Sequence, residues 1–387
     1  MAIRQSAMKS IHEKNPFQRG RQLGEDLGQS DLIAMDRDQQ FDAQAWKQLA
    51  AARVLRMCLP ASVGGDGRTY AQLVEVLRGL GLACRDNGLL FALGAHLWAC
   101  LYPISVFATR TQQARYLERL MSGELIAAHA ATEEQAGSDI GAIQTTARKL
   151  SDCYVLNGAK SFITNAPIAG LFLVLARVDE TRGLTAFLVE RESAGLKCSE
   201  NVPKMGLRTS QMGTVEFRDC TIPLSSVLGE EGGGMTVFAC SMELERVFIL
   251  APAIGAMERL LQRSVDYSRA RCQSGKPIVS IAPVGNRIVE IKRRIMCCHA
   301  LLTSFAVRKD LGGFLGVESA MAKLQISEAW VETCLDAMQI HGGKGYLVEG
   351  EIERELRDAI ASRIYSGTSD MQRSAIATFM RLGAAAV

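Results

Sequence analysis

The spacing of apolar residues changes twice along this chain, and that order excludes most folds open to a protein of its size. Up to about Leu125, apolar residues recur every three or four positions. Ala43–Arg56 and Tyr70–Leu82 show this best and predict amphipathic helices. The Gly-rich link Pro60–Arg68 between them reads as a loop. From Ile126 to Leu228 the period shortens. Leu171–Val178 and Leu184–Val189 are apolar runs of strand length around Asp179–Gly183, and Thr214–Phe217 alternates. Tyr154-Val-Leu runs into Asn157-Gly158, a hairpin signal. After the turn Gly229–Gly234, the stretches Val237–Val265, Ile288–Lys309 and Glu318–Gln339 are long enough for an antiparallel bundle. Pro283 and Gly312-Gly313 punctuate them. The expected class is therefore α+β, mostly α. A helical domain (1–125) precedes a small central β-barrel or sandwich (126–230) and a C-terminal helical bundle (231–387). There is no βαβ alternation and no GxGxxG after a strand, so a Rossmann unit is excluded.

Composition narrows the function classes. Lys+Arg and Asp+Glu number 44 and 41, a net charge of +3, which provides no field for nucleic acid or an anionic membrane. The eleven cysteines are scattered, with Cys297-Cys298 the closest pair and no CxxC. That pattern argues against a zinc site or a disulfide framework and for free thiols in a reducing, cytoplasmic setting. Met1–Arg21 is polar and lacks the apolar core of a signal peptide. The longest apolar stretch, Leu89–Ile104, is too short to span a bilayer and reads as a buried helix.

Four segments can carry chemistry, each with a plainer alternative. Ala131-Thr-Glu-Glu-Gln-Ala-Gly-Ser-Asp139 offers backbone N–H groups and short side chains to a polar ligand, or simply caps a chain reversal. In Lys160-Ser-Phe-Ile-Thr-Asn165 an aromatic and a hydroxyl two residues apart share one strand face. They could meet a flat cofactor, or end a half-buried strand. The glycines of Gln339-Ile-His-Gly-Gly-Lys-Gly345 allow close ligand approach or form a helix C-cap, with His341 more often structural there. Tyr365-Ser-Gly-Thr-Ser369 and the following Asp370 present a helix N-terminus to an anion, or an ordinary N-cap.

Together and in this order, these segments resemble the acyl-CoA dehydrogenase family of flavoproteins. Lys204-Met-Gly-Leu-Arg208, Tyr267–Arg271, Arg357-Asp358 and Gly367-Thr368 extend the resemblance over nearly the whole chain. It implies an N-terminal helical domain, a central β-barrel and a C-terminal four-helix bundle, assembled as homotetramers or dimers. It also implies FAD between barrel and bundle, with the adenosine end reaching a neighbouring subunit. On this resemblance Ala131 and Thr132 meet the flavin ring edge, Phe162 packs beside the ring, and Thr164 bonds near N5. Arg271 contacts the pyrophosphate, and Gln339, Gly342 and Gly343 line the adenosine. Thr368 and Asp370 lie near the cofactor, and Arg246, Ser138 and Tyr365 near the substrate. A planar flavin needs an apolar wall, and a pyrophosphate suits the fork of an arginine. Two positions depart from the family habit, Ser274 for Phe and Ala282 for Gln, so the adenine end is expected to be held differently.

The family reaction removes a proton from Cα of an acyl thioester and a hydride from Cβ to flavin N5. Many members carry the carboxylate base just before the Gly-Thr of the fourth segment, where this chain has Ser366. A minority carry it just before an arginine, and here that residue is Glu245 in Met242-Glu-Leu-Glu-Arg246. The apolar stretch Val247–Met257 follows it, and apolar surroundings raise a carboxyl pKa as a general base requires. The plainer reading pairs Glu245 with an arginine on a solvated face. Glu243 points about 160° away on a helix of 3.6 residues per turn.

Ala95–Ile104 and Ser362–Gln372 are similar to prolyl-carrier-protein dehydrogenases within this family. The resemblance implies oxidation of a small prolyl- or aminoacyl-like thioester on a carrier protein, with an electron-transfer flavoprotein or oxygen as acceptor. A short or branched acyl-CoA is the alternative substrate. An oxidase or monooxygenase, or a non-catalytic scaffold, is the alternative role.

Overall fold

The computed structural model describes residues 15–27, 31–178 and 183–381. Most of Met1–Arg21, residues 179–182 of the expected turn, and the last six residues lie outside them.

The N-terminal region is helical: α1 (Pro16–Asp26), α2 (Leu32–Asp38), α3 (Ala43–Ala51), α4 (Tyr70–Ala83), α5 (Asn87–His96), α6 (Tyr102–Phe107) and α7 (Arg110–Met121). Helix α3 stops short of Arg56, because Arg53 takes a left-handed conformation before a 3₁₀ turn. Helix α4 starts at a capping box in which Thr69 and Gln72 satisfy each other's backbone donors. Between α5 and α6 the chain makes a π-helical turn, Leu97–Leu101. Pro103 follows it and cannot donate the N–H that an unbroken α-helix needs, which favours widening of the preceding turn. Asn87–Phe107 as a whole is long and apolar enough to cross a membrane by length and composition. Most of it is instead buried inside the protein, as expected for a core helix.

The middle of the chain forms one curved mixed sheet. Its strands are β1 (Ala127–Ala130), β2 (Thr146–Lys149), β3 (Cys153–Thr164), β4 (Leu171–Val178), β5 (Leu184–Glu190), β6 (Leu196–Cys198), β7 (Met212–Pro223) and β8 (Val227–Leu228). The order is β6-β7-β3-β2-β4-β5-β8, with β1 also parallel to β4. Phe172, Phe187, Tyr154 and Phe217 fill the inner face. Leu171, Leu173, Leu175 and Leu188 point outward onto the helical core, so β4 and β5 are buried on both faces.

The hairpin expected at Asn157-Gly158 does not form, and β3 runs through it. The dipeptide instead lies opposite a bulge in β7. Asn157 Nδ2 donates to Asp219 Oδ1 at 3.2 Å, and Asp219 N donates to Asn157 Oδ1 at 2.8 Å. A Cβ on Gly158 would come within 2.6 Å of Thr145 Oγ1, so glycine here permits a close strand crossing, not a turn.

The C-terminal region contains α8 (Gly234–Phe248), α9 (Ala251–Ala270), α10 (Ala282–Asp310), α11 (Gly316–His341), α12 (Ile352–Ala361) and α13 (Ser369–Phe379). A small hairpin, β9 (Cys272–Gln273) and β10 (Lys276–Pro277), turns at Ser274 and Gly275, both at positive φ. The expected continuous helix Val237–Val265 is two helices, broken at Ile249-Leu250. Pro252 sits in the first turn of α9, where a missing N–H costs nothing. Pro283 likewise begins α10.

Helices α4 and α9 cross at very short range. A Cβ on Gly81 would lie 1.9 Å from Pro252 O, and one on Gly255 2.0 Å from Arg78 O. Gly81→Ala is therefore expected to destabilise the protein by about 1–3 kcal/mol through overpacking. Urea unfolding of the two proteins checks this, and a midpoint equal to the parent's would refute the tight crossing.

Candidate active site

Glu245 lies on α8 and is buried, with 8% of its surface exposed. It does not sit on a solvated face. Burial raises its carboxyl pKa above the ordinary range, opposed by the Ser366 hydroxyl and by the positive charges of Arg246 and Lys323. Ser366 Oγ donates a hydrogen bond to Glu245 Oε1. Glu243 faces elsewhere, accepting from Lys309 Nζ at 2.7 Å and from Leu315 N at 3.0 Å.

The partner hydroxyl comes from the turn between α12 and α13. Arg246 Nε donates to Ser366 O at 3.3 Å. Lys323, on α11 and fully buried, donates to Ser362 O at 2.5 Å and Gly367 O at 3.3 Å. Burial lowers Lys323 to about 7 against the opposing pull of Glu245. Tyr365 packs its ring on Phe91 of α5, with centroids 4.4 Å apart. Thus the sequence-predicted Glu245, Arg246 and Tyr365 converge. Thr368 caps α13, its Oγ1 accepting from Met371 N at 3.2 Å. Asp370 is exposed and paired with Arg373.

A second group lies on the sheet. Ala131 is buried, Thr132 and Thr164 are half-buried, and Phe162 is 62% exposed. Phe162 has φ of +59°, in a bulge that adds one residue to β3 opposite Val215–Gly213. The bulge, and not regular strand alternation, sends the ring outward. Thr132 O accepts from Ser161 N at 2.9 Å, joining the two segments. Glu133 accepts from Lys160 Nζ at 2.8 Å and from Thr145 Oγ1 at 2.6 Å, which fixes the loop from below. Ser138 is exposed on that loop.

The third group, Arg271, Gln339, Gly342 and Gly343, is exposed at one end of the bundle. Nothing lies within 4 Å of where a Cβ would stand on Gly342 or Gly343. His341 stacks on Tyr267 at 4.5 Å and bonds Ala337 O at 2.8 Å, so it is structural. Helix α5 links the first two groups, since Ala92 O accepts from Asn165 Nδ2 at 3.1 Å beside Phe91.

The arrangement suits a flavin. An exposed aromatic ring beside two half-buried hydroxyls supplies the apolar wall and hydrogen bonds that a planar cofactor needs. The open glycines and Arg271 suit a nucleotide end. Sequence reasoning missed Lys323, Phe91 and Gln372. A lysine inside the apolar pattern of α11 was the available signal for the first. Phe91 had none, because α5 is apolar all round.

A buried carboxylate and an exposed aromatic wall are parts that an FAD-dependent oxidoreductase uses to take a proton and a hydride from adjacent carbons. Residues 21–124, 128–220 and 232–380 match the acyl-CoA dehydrogenase N-terminal, middle and C-terminal domains, and the chain belongs to that family. An L-prolyl-[peptidyl-carrier protein] dehydrogenase of Pseudomonas fluorescens is 40% identical over 346 residues, covering 88% of this chain and 91% of that one. The crystal structure of the prolyl acyl carrier protein oxidase AnaB superposes with a TM-score of 0.92 at 44% identity, covering 95% and 99% of the two chains. PigA with FAD and proline gives 0.91 at 36% identity, covering 95% and 97%.

Proposed function

We propose that the protein oxidises a prolyl or similarly small aminoacyl group carried as a thioester on a carrier protein. The observation that carries this is the closure of the site beyond Glu245. Phe248, three residues on along α8, and Ile249, which caps it, are buried. They pack with Leu97 and Trp98, and a Cβ on Gly94 would lie 2.9 Å from Ile249 Cγ1. Close packing at this end of the site supports a small acyl group. AnaB, a prolyl acyl carrier protein oxidase, and the structure of PigA with FAD and proline support the same reading.

In this mechanism Glu245 takes the Cα proton of the thioester. Ser366 and Arg246 hold the turn and the carboxylate in register. FAD, held beside Phe162, Thr132 and Thr164, would supply the acceptor for the Cβ hydride. Lys323 holds the turn, donating to two backbone carbonyls.

The reading extends to setting and assembly. Eleven unpaired cysteines support a reducing, cytoplasmic location. The exposed Phe314, Tyr346, Leu347 and Val348 on the bundle support a homodimer or homotetramer. The names of the relatives support a role in secondary metabolism, and they differ on the acceptor: one is called a dehydrogenase and another an oxidase.

Anaerobic titration with prolyl-, aminoacyl- and short acyl-thioesters, on carrier protein and on CoA, tests the reading. Bleaching of the flavin by the prolyl carrier thioester, at lower concentration than by any acyl-CoA, is the expected result. Preferential bleaching by a short acyl-CoA would replace it with the CoA alternative. Peroxide release on re-oxidation in air would identify oxygen as acceptor.

A further inference from the structure

Ser366 is held in an unusual backbone conformation. Its φ is +54° and that of Gly367 is +89°. A serine pays for the left-handed region unless its surroundings enforce it. Three side chains from three helices do so here. Ser366 O accepts from Arg246 Nε at 3.3 Å and from Gln372 Nε2 at 3.0 Å. Gly367 O accepts from Gln372 Nε2 at 2.9 Å and from Lys323 Nζ at 3.3 Å. Lys323 and Gln372 are themselves buried, so the turn cannot relax into solvent.

The pinned turn aims one group, the Ser366 hydroxyl, at one atom, Glu245 Oε1. Among the described residues it is the one hydrogen-bond donor to that carboxylate. We propose that Ser366 is a positioning residue for the base: it occupies Oε1 and leaves Oε2 as the oxygen that accepts the substrate proton. This rests on the reading of Glu245 as base in thioester oxidation. A donor to one carboxylate oxygen also favours the ionised form, offsetting burial, which acts the other way.

The test is the pH dependence of anaerobic flavin reduction by the prolyl carrier thioester, in parent, Ser366→Gly and Ser366→Cys holoenzymes. Glycine accepts positive φ without strain, and a thiol is a weaker donor than a hydroxyl. The acid limb is expected to move up by about one pH unit in Ser366→Gly, a roughly tenfold change in proton affinity, and by less in Ser366→Cys. FAD content should stay at the parent's level. Superimposable limbs would overturn the proposal. So would an equal loss at every pH with an unmoved midpoint, which is what a purely structural turn would give. A second readout needs no turnover. The Glu245 carboxyl infrared band in substrate-free holoenzyme, isolated by subtracting Glu245→Gln, should titrate at higher pH in Ser366→Gly. If the thioester bleaches no variant, the functional reading fails, and this band alone decides the role of Ser366.

Discussion

Glu245→Gln is expected to slow substrate-dependent flavin bleaching by roughly 10²–10⁴-fold while FAD stays bound. The substitution keeps shape and volume, and the amide oxygen can still accept the Ser366 hydroxyl. It removes the buried carboxylate assigned to take the proton from Cα. Glu243 is tied to Lys309 and Leu315, and Lys323 is bonded to two backbone carbonyls. Burial raises the Glu245 carboxyl pKa above the ordinary value, the direction that suits a general base. Stopped-flow bleaching under nitrogen is the measurement. A variant that bleaches at the parent's rate would transfer the role to another residue.

The second large effect concerns stability. Arg259 Nη2 donates to Glu355 Oε1 at 2.7 Å, and both are buried. Its Nη1 reaches Gly81 O and donates to Cys84 O at 2.9 Å, closing the carbonyl end of α4. Asn87 Nδ2 joins Glu355 Oε2 and Asp358 Oδ2, each at 3.0 Å, and Asp358 Oδ1 accepts from Leu207 N at 2.6 Å. Burial alone would raise Glu355, but Arg259 and Arg354 hold it below the ordinary carboxylate value. Burial pushes Asp358 up to about 6. Arg259→Leu leaves a buried carboxylate short of its partner and α4 uncapped, at an expected cost of about 3–5 kcal/mol. Adding Glu355→Leu removes the stranded charge and should recover part of the loss. Thermal midpoints at matched protein and FAD concentrations decide it. A double variant less stable than the single would refute the stranded-charge account.

The three-zone order was legible because periodicity reports on which face of each element meets the core. Glu245 was legible through its place before Arg246, together with the serine at 366. Other features turned on three-dimensional approach. The break at Ile249-Leu250 left no mark on the periodicity, because both flanks are apolar and Pro252 is harmless in a first helical turn. Asn157-Gly158 carried a genuine turn signal, but the space it opened is filled by Thr145, just before β2. Phe162 was singled out from its segment, but its outward pose depends on a β-bulge that pairing with β7 decides. Lys323 stood out only as a lysine in an apolar pattern, because its hydrogen-bond partners are backbone carbonyls, which no residue type announces.

Helix α5 bears on the tolerance of this enzyme to insertion and deletion. Phe91 rests on the turn that carries Ser366, and the adjacent Ala92 carbonyl receives Asn165 from the end of the strand that carries Phe162 and Thr164. Cofactor wall and base are thus indexed to neighbouring residues on one rod. Each residue added or removed upstream in α5 would rotate these anchors by about 100° and shift them by about 1.5 Å. An insertion or deletion in α5 would therefore disturb both contacts at once. Divergent relatives would have to alter this site by substitution alone.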